Sequence, residues 1–211
     1  MTKALTRGCL LAFEGIDGAG KTTQAKLLGD YLRELGLEVV MSKEPTQGPW
    51  GQKLRASKTT ERMSPAEELD CFLKDRKEHV DELIEPALAR GAVVIVDRYY
   101  YSTVAYQGAR GMDPQALLQQ NREFAPKPHL LVLMDLEVET GLKRIHKRGE
   151  GQDLFETIEN LTKVRQIFQS LDEDHILHLD SNHSIEALHV LIKERLLKDC
   201  DQIRQLNLEK Q

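Results

Sequence analysis

The sequence contains only three cysteines among its 211 residues, Cys9, Cys71 and Cys200. Their number is odd and their spacing is wide, and none of the short intervals typical of metal sites occurs between them. This argues against a framework stapled by disulfides. It predicts reduced, structural thiols of the kind found in the cytosol.

An excess of positive charge is also absent, because 29 Lys and Arg face 34 Asp and Glu, for a net charge of −5. A nucleic-acid backbone usually selects a basic face, so a nucleic-acid partner is disfavoured. Long apolar runs are missing too: the run near the N-terminus is broken by Glu14 and is too short for a signal peptide or a membrane span. We therefore expect a soluble, cytoplasmic protein with no nucleic-acid and no membrane partner.

The chain also lacks internal repeats, low-complexity tracts and a linker rich in Pro, Gly or Ser. Its length of 211 residues and its hydrophobic content of 40% suit one compact domain with a substantial core. We predict a single domain over residues 1–211.

The most informative stretch is residues 10–23, in which a short apolar run leads into a glycine-rich turn followed by a lysine and two threonines. Residues 15–22, GIDGAGKT, match G-x-x-x-x-G-K-[ST] at every fixed position, between a predicted strand and a predicted helix. The glycines let main-chain N–H groups close around phosphate oxygens, and the helix N-terminus adds the positive end of its dipole. The alternative is a turn that merely joins strand to helix, but the complete pattern favours a polyphosphate site.

The spacing within this loop also predicts individual roles. Lys21 should reach the β- and γ-phosphates, and the Thr22 hydroxyl should bind a phosphate-bound Mg²⁺. The predicted nucleotide-binding residues are Gly15, Ile16, Asp17, Gly18, Ala19, Gly20, Lys21, Thr22 and Thr23.

Short apolar segments alternate with longer helical ones along the whole chain. Hydrophobic patterning predicts strands at residues 10–13, 38–42, 92–96, 129–134 and 175–179. Helices are predicted at residues 20–35, 52–55, 65–90, 102–108, 114–124, 138–147, 154–171 and from about 184 onward. The alternation predicts an α/β fold, a three-layer sandwich whose five-stranded parallel sheet has helices on both faces. Ligands of such sheets bind beyond the carboxyl ends of the strands.

Arg76 interrupts an otherwise apolar stripe in the third predicted helix. An unpaired charge there would be costly, so it either pairs with a core carboxylate or extends its charged end to solvent. A more specific alternative uses Phe72, one turn earlier, as a flat surface for a base, with Arg76 donating to a carbonyl or a phosphate. Spacing alone favours the simpler interpretations.

Asp97 and Arg98 directly follow the apolar run AVVIV. They would lie where a metal-bound polyphosphate from the first loop can reach, so that Asp97 could hold Mg²⁺ through water and Arg98 could bridge phosphates. A surface ion pair at a strand end is the alternative. Further along, Lys143, Arg144, Lys147 and Arg148 form either a solvated helix face or a basic lid that closes over a phosphate.

Together these segments resemble bacterial thymidylate kinases. These enzymes belong to the P-loop NTPase group and make dTDP from dTMP and ATP. The segments that carry the resemblance are FEGIDGAGKTT (13–23), KEP (43–45), FLKDR (72–76), DRYYYSTVAYQG (97–108) and LKRIHKRGEG (142–151). The resemblance covers nearly the whole chain. It implies ATP and dTMP as substrates, Mg²⁺ as cofactor, a homodimer, and a lid at about residues 142–155.

The resemblance also implies individual roles. Asp17 would contact the deoxyribose 3′-hydroxyl, Phe72 would stack on thymine, Arg76 would read a thymine carbonyl, and Arg98 would hold the dTMP phosphate. The implied dTMP-binding residues are Asp17, Glu44, Pro45, Arg55, Phe72, Arg76, Arg98, Thr103, Tyr106 and Gln107. The implied catalytic residues are Lys21, Asp97, Arg98, Arg144 and Arg148, and the metal site would use Thr22 and Asp97. Residues 181–183 would lie near adenine.

Two segments depart from the family pattern. The usual Arg-Glu-Pro-Gly-Gly-Thr is KEPTQG at residues 43–48, and the arginine that commonly follows an aspartate in the lid is absent because Leu154 follows Asp153. The phosphate loop has no arginine either, so the catalytic charge must come from Arg148 or Arg144, or be shared with Lys147.

Two other functions stay open from the sequence. Glu14, at the end of the first strand, is the obvious candidate base for a deoxynucleoside kinase, which must take a proton from a hydroxyl. A noncatalytic ATP-binding switch that kept the loop but lost turnover is the second alternative, and the unusual lid is its best support.

Overall fold

The structure is a computed structural model that describes residues 2–57, 63–147 and 158–210. Its centre is a five-stranded, fully parallel sheet in the order β2-β3-β1-β4-β5. The strands are β1 (Cys9–Glu14), β2 (Val39–Lys43), β3 (Val93–Asp97), β4 (Leu130–Asp135) and β5 (Ile176–Asp180). The predicted α/β fold and its five strands are confirmed, and each strand end differs from its predicted position by one residue.

Helices cover both faces of the sheet. They are α1 (Lys21–Glu34), α2 (Pro49–Ser57), α3 (Pro65–His79), α4 (Glu85–Ala89), α5 (Tyr100–Ala109), α6 (Pro114–Arg122), α7 (Val138–Lys147), α8 (Ile158–Gln169), α9 (Ile185–Asp199) and α10 (Asp201–Lys210). Every residue of the central strand β1 is buried, as expected for a continuous apolar run between helical layers. Among the described residues, none of these helices combines the length and the apolarity needed to cross a bilayer.

The third predicted helix is interrupted, which corrects the prediction of one helix over residues 65–90. Ser64 and Glu67 form a reciprocal capping box at the start of α3, and Pro65 occupies the first turn. A π-helical segment, Val80–Ile84, then separates α3 from α4. Pro86 in α4 has no N–H to continue an α-helical pattern, so the wider turn precedes it.

The C-terminal helix is interrupted as well. Cys200 has extended backbone angles, φ −127° and ψ 96°, and separates α9 from α10. All three cysteines are free. The helix predicted for residues 154–171 is observed as α8, and its predicted first four residues lie outside the described part of the chain.

Candidate functional site

The loop between β1 and α1 has the backbone of a phosphate cradle. Gly15, Gly18 and Gly20 have φ of 136°, 83° and 96°, values that favour glycine. A Cβ on Gly15 would lie 2.3 Å from the Met134 carbonyl oxygen, and one on Gly18 would lie 2.6 Å from the Gly141 carbonyl oxygen. Gly20, the N-cap residue of α1, has no side chain that could cap the helix, which leaves its first N–H groups to an anion.

Lys21, the first residue of α1, folds its side chain back over this loop. Its Nζ donates to the Ile16 carbonyl oxygen at 2.9 Å and lies 3.6 Å from a carboxylate oxygen of Asp17. Burial lowers the pKa of Lys21 to about 8, Arg98 acts in the same direction, and Asp17 is among the carboxylates that oppose it. The ammonium therefore lies among the loop carbonyls, at the place where the sequence predicts phosphate contacts.

Thr22 and Asp97, the two residues predicted to hold a metal ion, are in contact. The Thr22 hydroxyl donates to Asp97 Oδ2, while the buried Oδ1 has no hydrogen-bond partner among the described residues. An acceptor of this kind suits a hydrated cation, because Mg²⁺ is held by one or two protein oxygens together with water and phosphate. No cluster of three or more His, Cys, Asp or Glu side chains fit for a metal occurs in the described ranges. The residues present therefore fit a Mg²⁺ that is shared with a bound polyphosphate.

Arg98 joins the phosphate loop to the end of β3. It has a φ of 70°, unusual for a residue with a side chain, and its N–H donates to the Phe13 carbonyl oxygen at 2.9 Å. Its guanidinium donates to Asp17 and, at 2.9 Å, to Ser102 Oγ, and it lies 5.4 Å from the centre of the Tyr106 ring. This backbone turn directs the Arg98 guanidinium toward the boundary between the phosphate loop and the cavity described below.

Glu14, the last residue of β1, is fully buried beneath Arg98. It accepts from the backbone N–H groups of Tyr99 and Ser102 at 2.8 and 2.9 Å and from the Ser102 hydroxyl at 2.5 Å. Burial raises the pKa of Glu14 to about 6, although the Arg98 charge and these hydrogen bonds oppose the rise. Both carboxylate oxygens are thus occupied in holding the first turn of α5, which explains why this helix begins at Tyr100 and not at residue 102 as predicted.

A cavity of about 970 Å³ lies beside Arg98, between α3, α5 and the loop that follows β2. All ten residues predicted to bind dTMP line it, namely Asp17, Glu44, Pro45, Arg55, Phe72, Arg76, Arg98, Thr103, Tyr106 and Gln107. The structure therefore brings the whole predicted acceptor set together on one surface that meets the phosphate loop at Asp17 and Arg98.

Arg76 is fixed at the far end of this cavity and is only 1% exposed. Its Nε and Nη2 donate to Glu44 Oε2 at 2.9 and 2.6 Å, Nη1 donates to Asn121 Oδ1, and Nη2 also reaches Thr103 Oγ1 at 3.1 Å. The pairing with a core carboxylate, one of the alternatives left open by the sequence, is what the structure shows. Burial alone would raise the pKa of Glu44, but Arg76 and His79 outweigh it and lower that pKa.

The loop after β2, whose sequence departs from the family pattern, is held in place by side-chain hydrogen bonds. Thr46 donates to the buried carboxylate of Asp75 through its N–H at 2.8 Å and its hydroxyl at 2.6 Å. Arg55 donates to the Pro45 carbonyl oxygen at 3.0 Å and to the Gln47 side chain at 3.1 Å. The substituted residues therefore form contacts of their own, and Arg55 lines this wall of the cavity.

The basic segment of α7 is only partly described. Arg144 donates to the carbonyl oxygens of Gly18 and Ser181, both at 3.1 Å, and so bridges the phosphate loop and the turn after β5. Lys143 and Lys147 are exposed. Arg148 lies outside the described residues, as do Asp153 and Leu154.

The sequence analysis missed several polar side chains that hold the cavity, namely Glu68, Asp75, His79 and Asn121. Each is buried, and each bonds to a residue at least 29 positions away. In sequence they resemble polar positions on a helix surface. The one available signal was indirect: a buried Arg76 requires a carboxylate and further acceptors.

Comparison with known proteins identifies the family of this chain. The sequence model of the family described as Thymidylate kinase matches residues 13–192. A thymidylate kinase from Xanthomonas campestris pv. campestris (strain B100) is 54% identical over 188 residues, which cover 89% of this chain and 80% of that protein. A thymidylate kinase from Xylella fastidiosa (strain M12) is 56% identical over 165 residues, which cover 78% of this chain and 76% of that one.

A solved structure is also similar. The crystal structure of thymidylate kinase from Ehrlichia chaffeensis superimposes with a TM-score of 0.70 at 28% identity, covering 90% of this chain and 98% of that one. The phosphate loop, the adjoining cavity and these similarities agree, and the chain belongs to the thymidylate kinase family.

Proposed function

We propose that this chain transfers the γ-phosphoryl group of ATP to the phosphate of dTMP, with Mg²⁺ as cofactor, and forms dTDP. The observation that carries the proposal is the position of Arg98, which is bonded to Asp17 of the phosphate loop and also lines the cavity. One guanidinium thereby adjoins both the donor loop and the acceptor cavity. In-line transfer between two phosphates needs a cation at that junction.

On the donor side, the N–H groups of the loop and of the first turn of α1 surround the β- and γ-phosphates, and Lys21 adds a positive charge. Thr22 and Asp97 would hold the Mg²⁺ through their side-chain oxygens. The metal supplies neutralisation of the charge that develops on the transferred group. Arg144 borders the donor nucleotide, because it bridges Gly18 of the phosphate loop and Ser181 after β5.

On the acceptor side, Arg98 holds the dTMP phosphate and the half-buried ring of Phe72 stacks on thymine. Arg76 and Thr103 offer donors to a base carbonyl, and Tyr106 lies by the sugar. Since Arg76 already bonds to Glu44 and Asn121, its guanidinium is in place before the base arrives. Prior placement of this kind lowers the entropic cost of positioning the acceptor.

A phosphate acceptor needs no general base, because its attacking oxygen is already ionised. The geometry of Glu14 supports this reaction over the deoxynucleoside kinase alternative. Its carboxylate is 0% exposed and accepts three hydrogen bonds from Tyr99 and Ser102. A base for a sugar hydroxyl would have to lie within hydrogen-bond reach of the substrate.

Charge for the transition state comes from Lys21, Arg98 and the basic segment that begins in α7, with Arg144 and Arg148 as the candidate arginines of the lid. Residues 142–155 would close over the γ-phosphate and exclude water. Of this segment, residues 148–155 lie outside the described part of the chain.

A coupled assay of ADP formation, run with dTMP, dUMP, dCMP and thymidine in turn, tests the proposal. We expect turnover that requires both Mg²⁺ and dTMP. Slow hydrolysis independent of an acceptor would instead indicate an ATPase or a switch, and ATP binding without turnover would indicate a binding module. Turnover with thymidine but not with dTMP would favour the deoxynucleoside kinase.

We also propose that the enzyme acts in the cytoplasm as a homodimer, as its family resemblance implies. Light scattering coupled to size-exclusion chromatography should give a mass twice that of the chain. A monomeric mass at micromolar concentration would contradict the homodimer.

A further inference from the structure

We call the part of the cavity lined by Phe72, Arg76 and Thr103 its base end, because the proposed function places the base there. Glu68 makes a polar contact at this end, and neither the motif nor the family resemblance assigns a role to it. It lies in the first half of α3, is 8% exposed, and lines the cavity. Its Oε2 accepts a hydrogen bond from Gln107 Nε2 at 2.6 Å and pairs with the guanidinium of Arg110. Both partners belong to α5 or its C-terminal end, so the contact joins the two helices that form the walls of the base end.

The chemistry of this contact fixes the direction of the Gln107 amide. A glutamine side chain can turn its oxygen or its nitrogen toward a neighbour, and the two orientations occupy nearly the same volume. A carboxylate paired with a guanidinium only accepts hydrogen bonds, so it requires the nitrogen end. Glu68 therefore selects one of the two orientations.

The selected orientation leaves the Gln107 amide oxygen without a hydrogen-bond donor among the described residues. Gln107 is 1% exposed and lines the cavity, and its Oε1 has no hydrogen-bond partner among the described residues. Buried polar atoms are nearly always hydrogen-bonded, so an oxygen left in this way indicates an acceptor that a ligand satisfies. Thr103 and Phe72, which line the same cavity, place this acceptor at the base end.

We propose that Glu68 is a positioning residue for the choice of base: it holds the Gln107 amide with its oxygen as acceptor and thereby favours a pyrimidine whose ring nitrogen carries a hydrogen. Thymine and uracil have an N3–H donor, whereas N3 of cytosine is an acceptor and meets the amide oxygen unfavourably. The cost of such a mismatch falls on cytosine, because two acceptors face each other in a buried site. The inference rests on the proposed function and adds the residue that selects the base.

Three variants separate this role from a structural one. Glu68→Met removes the acceptor at similar volume and frees the Gln107 amide to turn. Arg110→Met breaks the same ion pair but keeps the carboxylate, and Glu68→Gln keeps an oxygen that can accept from both partners. The measurement is kcat/KM for dTMP divided by kcat/KM for dCMP, with the melting temperature of each variant recorded.

We expect this ratio to fall by about tenfold in Glu68→Met, in line with the loss of one fixed buried hydrogen-bond partner. Arg110→Met and Glu68→Gln should keep the wild-type ratio, even if their melting temperatures fall. An unchanged ratio in Glu68→Met, or an equal fall in Arg110→Met, overturns the inference. Wild-type protein without dTMP-dependent turnover would overturn the proposed function itself, which is a distinct outcome.

If Glu68→Met does not fold, a crystal structure of the wild-type protein with dTMP tests whether Glu68 orients the Gln107 amide. An amide oxygen within about 3 Å of the ring N3 atom, with the nitrogen on Glu68, supports the inference. An amide turned away from the base, or separated from Glu68, overturns it.

Discussion

The carboxylate of Asp17 accepts a hydrogen bond from Arg98 Nη2, which ties the middle of the phosphate loop to the first residue after β3. Asp17 occupies a variable position of the loop motif, yet its side chain also lines the adjoining cavity. The ion pair holds the guanidinium between the phosphate loop and the adjoining cavity. The contact between these two residues is therefore the basis of the first prediction.

Arg98→Ala should raise the KM for dTMP and lower kcat, because it removes a charge-assisted contact worth about 1.5–3 kcal/mol. Steady-state kinetics should show a loss in kcat/KM of about 10- to 150-fold. Arg90→Ala, which removes an exposed arginine paired with Glu38, is the matched control. Near-wild-type kinetics for Arg98→Ala would contradict the acceptor-phosphate assignment.

Glu14→Gln should keep most of the activity with dTMP. The amide oxygen can replace Oε1 in accepting from the N–H groups of Tyr99 and Ser102, and its NH₂ group can donate to the Ser102 hydroxyl. A true general base would lose about 10²- to 10⁴-fold in rate on this substitution. A loss of that size in kcat would revive the deoxynucleoside kinase alternative.

The same variant should change how stability depends on pH. The folded pKa of Glu14, about 6, lies above the ordinary 4.5, so between these values the folded protein binds more protons than the unfolded chain. Stability from this group is therefore lost as pH rises through that range, by about 2 kcal/mol in total. Urea unfolding of both proteins from pH 4.5 to 7.5 should show the wild type losing stability relative to Glu14→Gln, and parallel curves would refute the prediction.

Thr22→Val should weaken the response to Mg²⁺, because it removes the predicted metal ligand and leaves Asp97 without its hydroxyl donor. We expect the Mg²⁺ concentration for half-maximal rate to rise and kcat/KM to fall by about tenfold or more. Thr162→Val, which removes an exposed helix hydroxyl bonded to its own helix at Ile158, should behave like the wild type. An unchanged magnesium titration for Thr22→Val would exclude that hydroxyl as a ligand.

Gly18→Ala and Gly111→Ala form a matched pair for the loop backbone. Both glycines have positive φ, 83° and 96°, so alanine should cost each about 1–2 kcal/mol of stability. Only at Gly18 does the new Cβ also meet backbone, 2.6 Å from the Gly141 carbonyl oxygen, whereas nothing lies within 4 Å at Gly111. Urea unfolding should therefore show a clearly larger loss for Gly18→Ala, and equal losses would contradict the observed loop geometry.

Features that depend on neighbouring residues in the chain were predictable. The glycines of the phosphate loop and the apolar run of β3 each depend on residues a few positions apart. The ten residues predicted to bind dTMP also line one cavity, and four of them lie in the loops that follow β1, β2 and β3 at one edge of the sheet.

Features that depend on pairing across the fold were not predictable. Asn121 bonds to Arg76 from 45 positions away, and Glu68 bonds to Gln107 from 39 positions away. The sequence alone does not distinguish a polar helix residue that bonds to such a distant partner from one whose side chain is solvated. The π-helical segment and the break at Cys200 were missed for a related reason, since apolar periodicity continues through both.

The contacts of Arg76 have a consequence for how the base preference proposed for this chain can change. Its guanidinium is shared by Glu44 after β2, Thr103 in α5 and Asn121 in α6, all of them buried. Replacing any one of the three leaves a buried charge or donor unmatched, so single mutations toward a new base pass through a destabilised intermediate. Changes in base preference should therefore arise as coordinated substitutions in several segments, and chimeras that exchange one segment alone should lose stability before they gain a new acceptor.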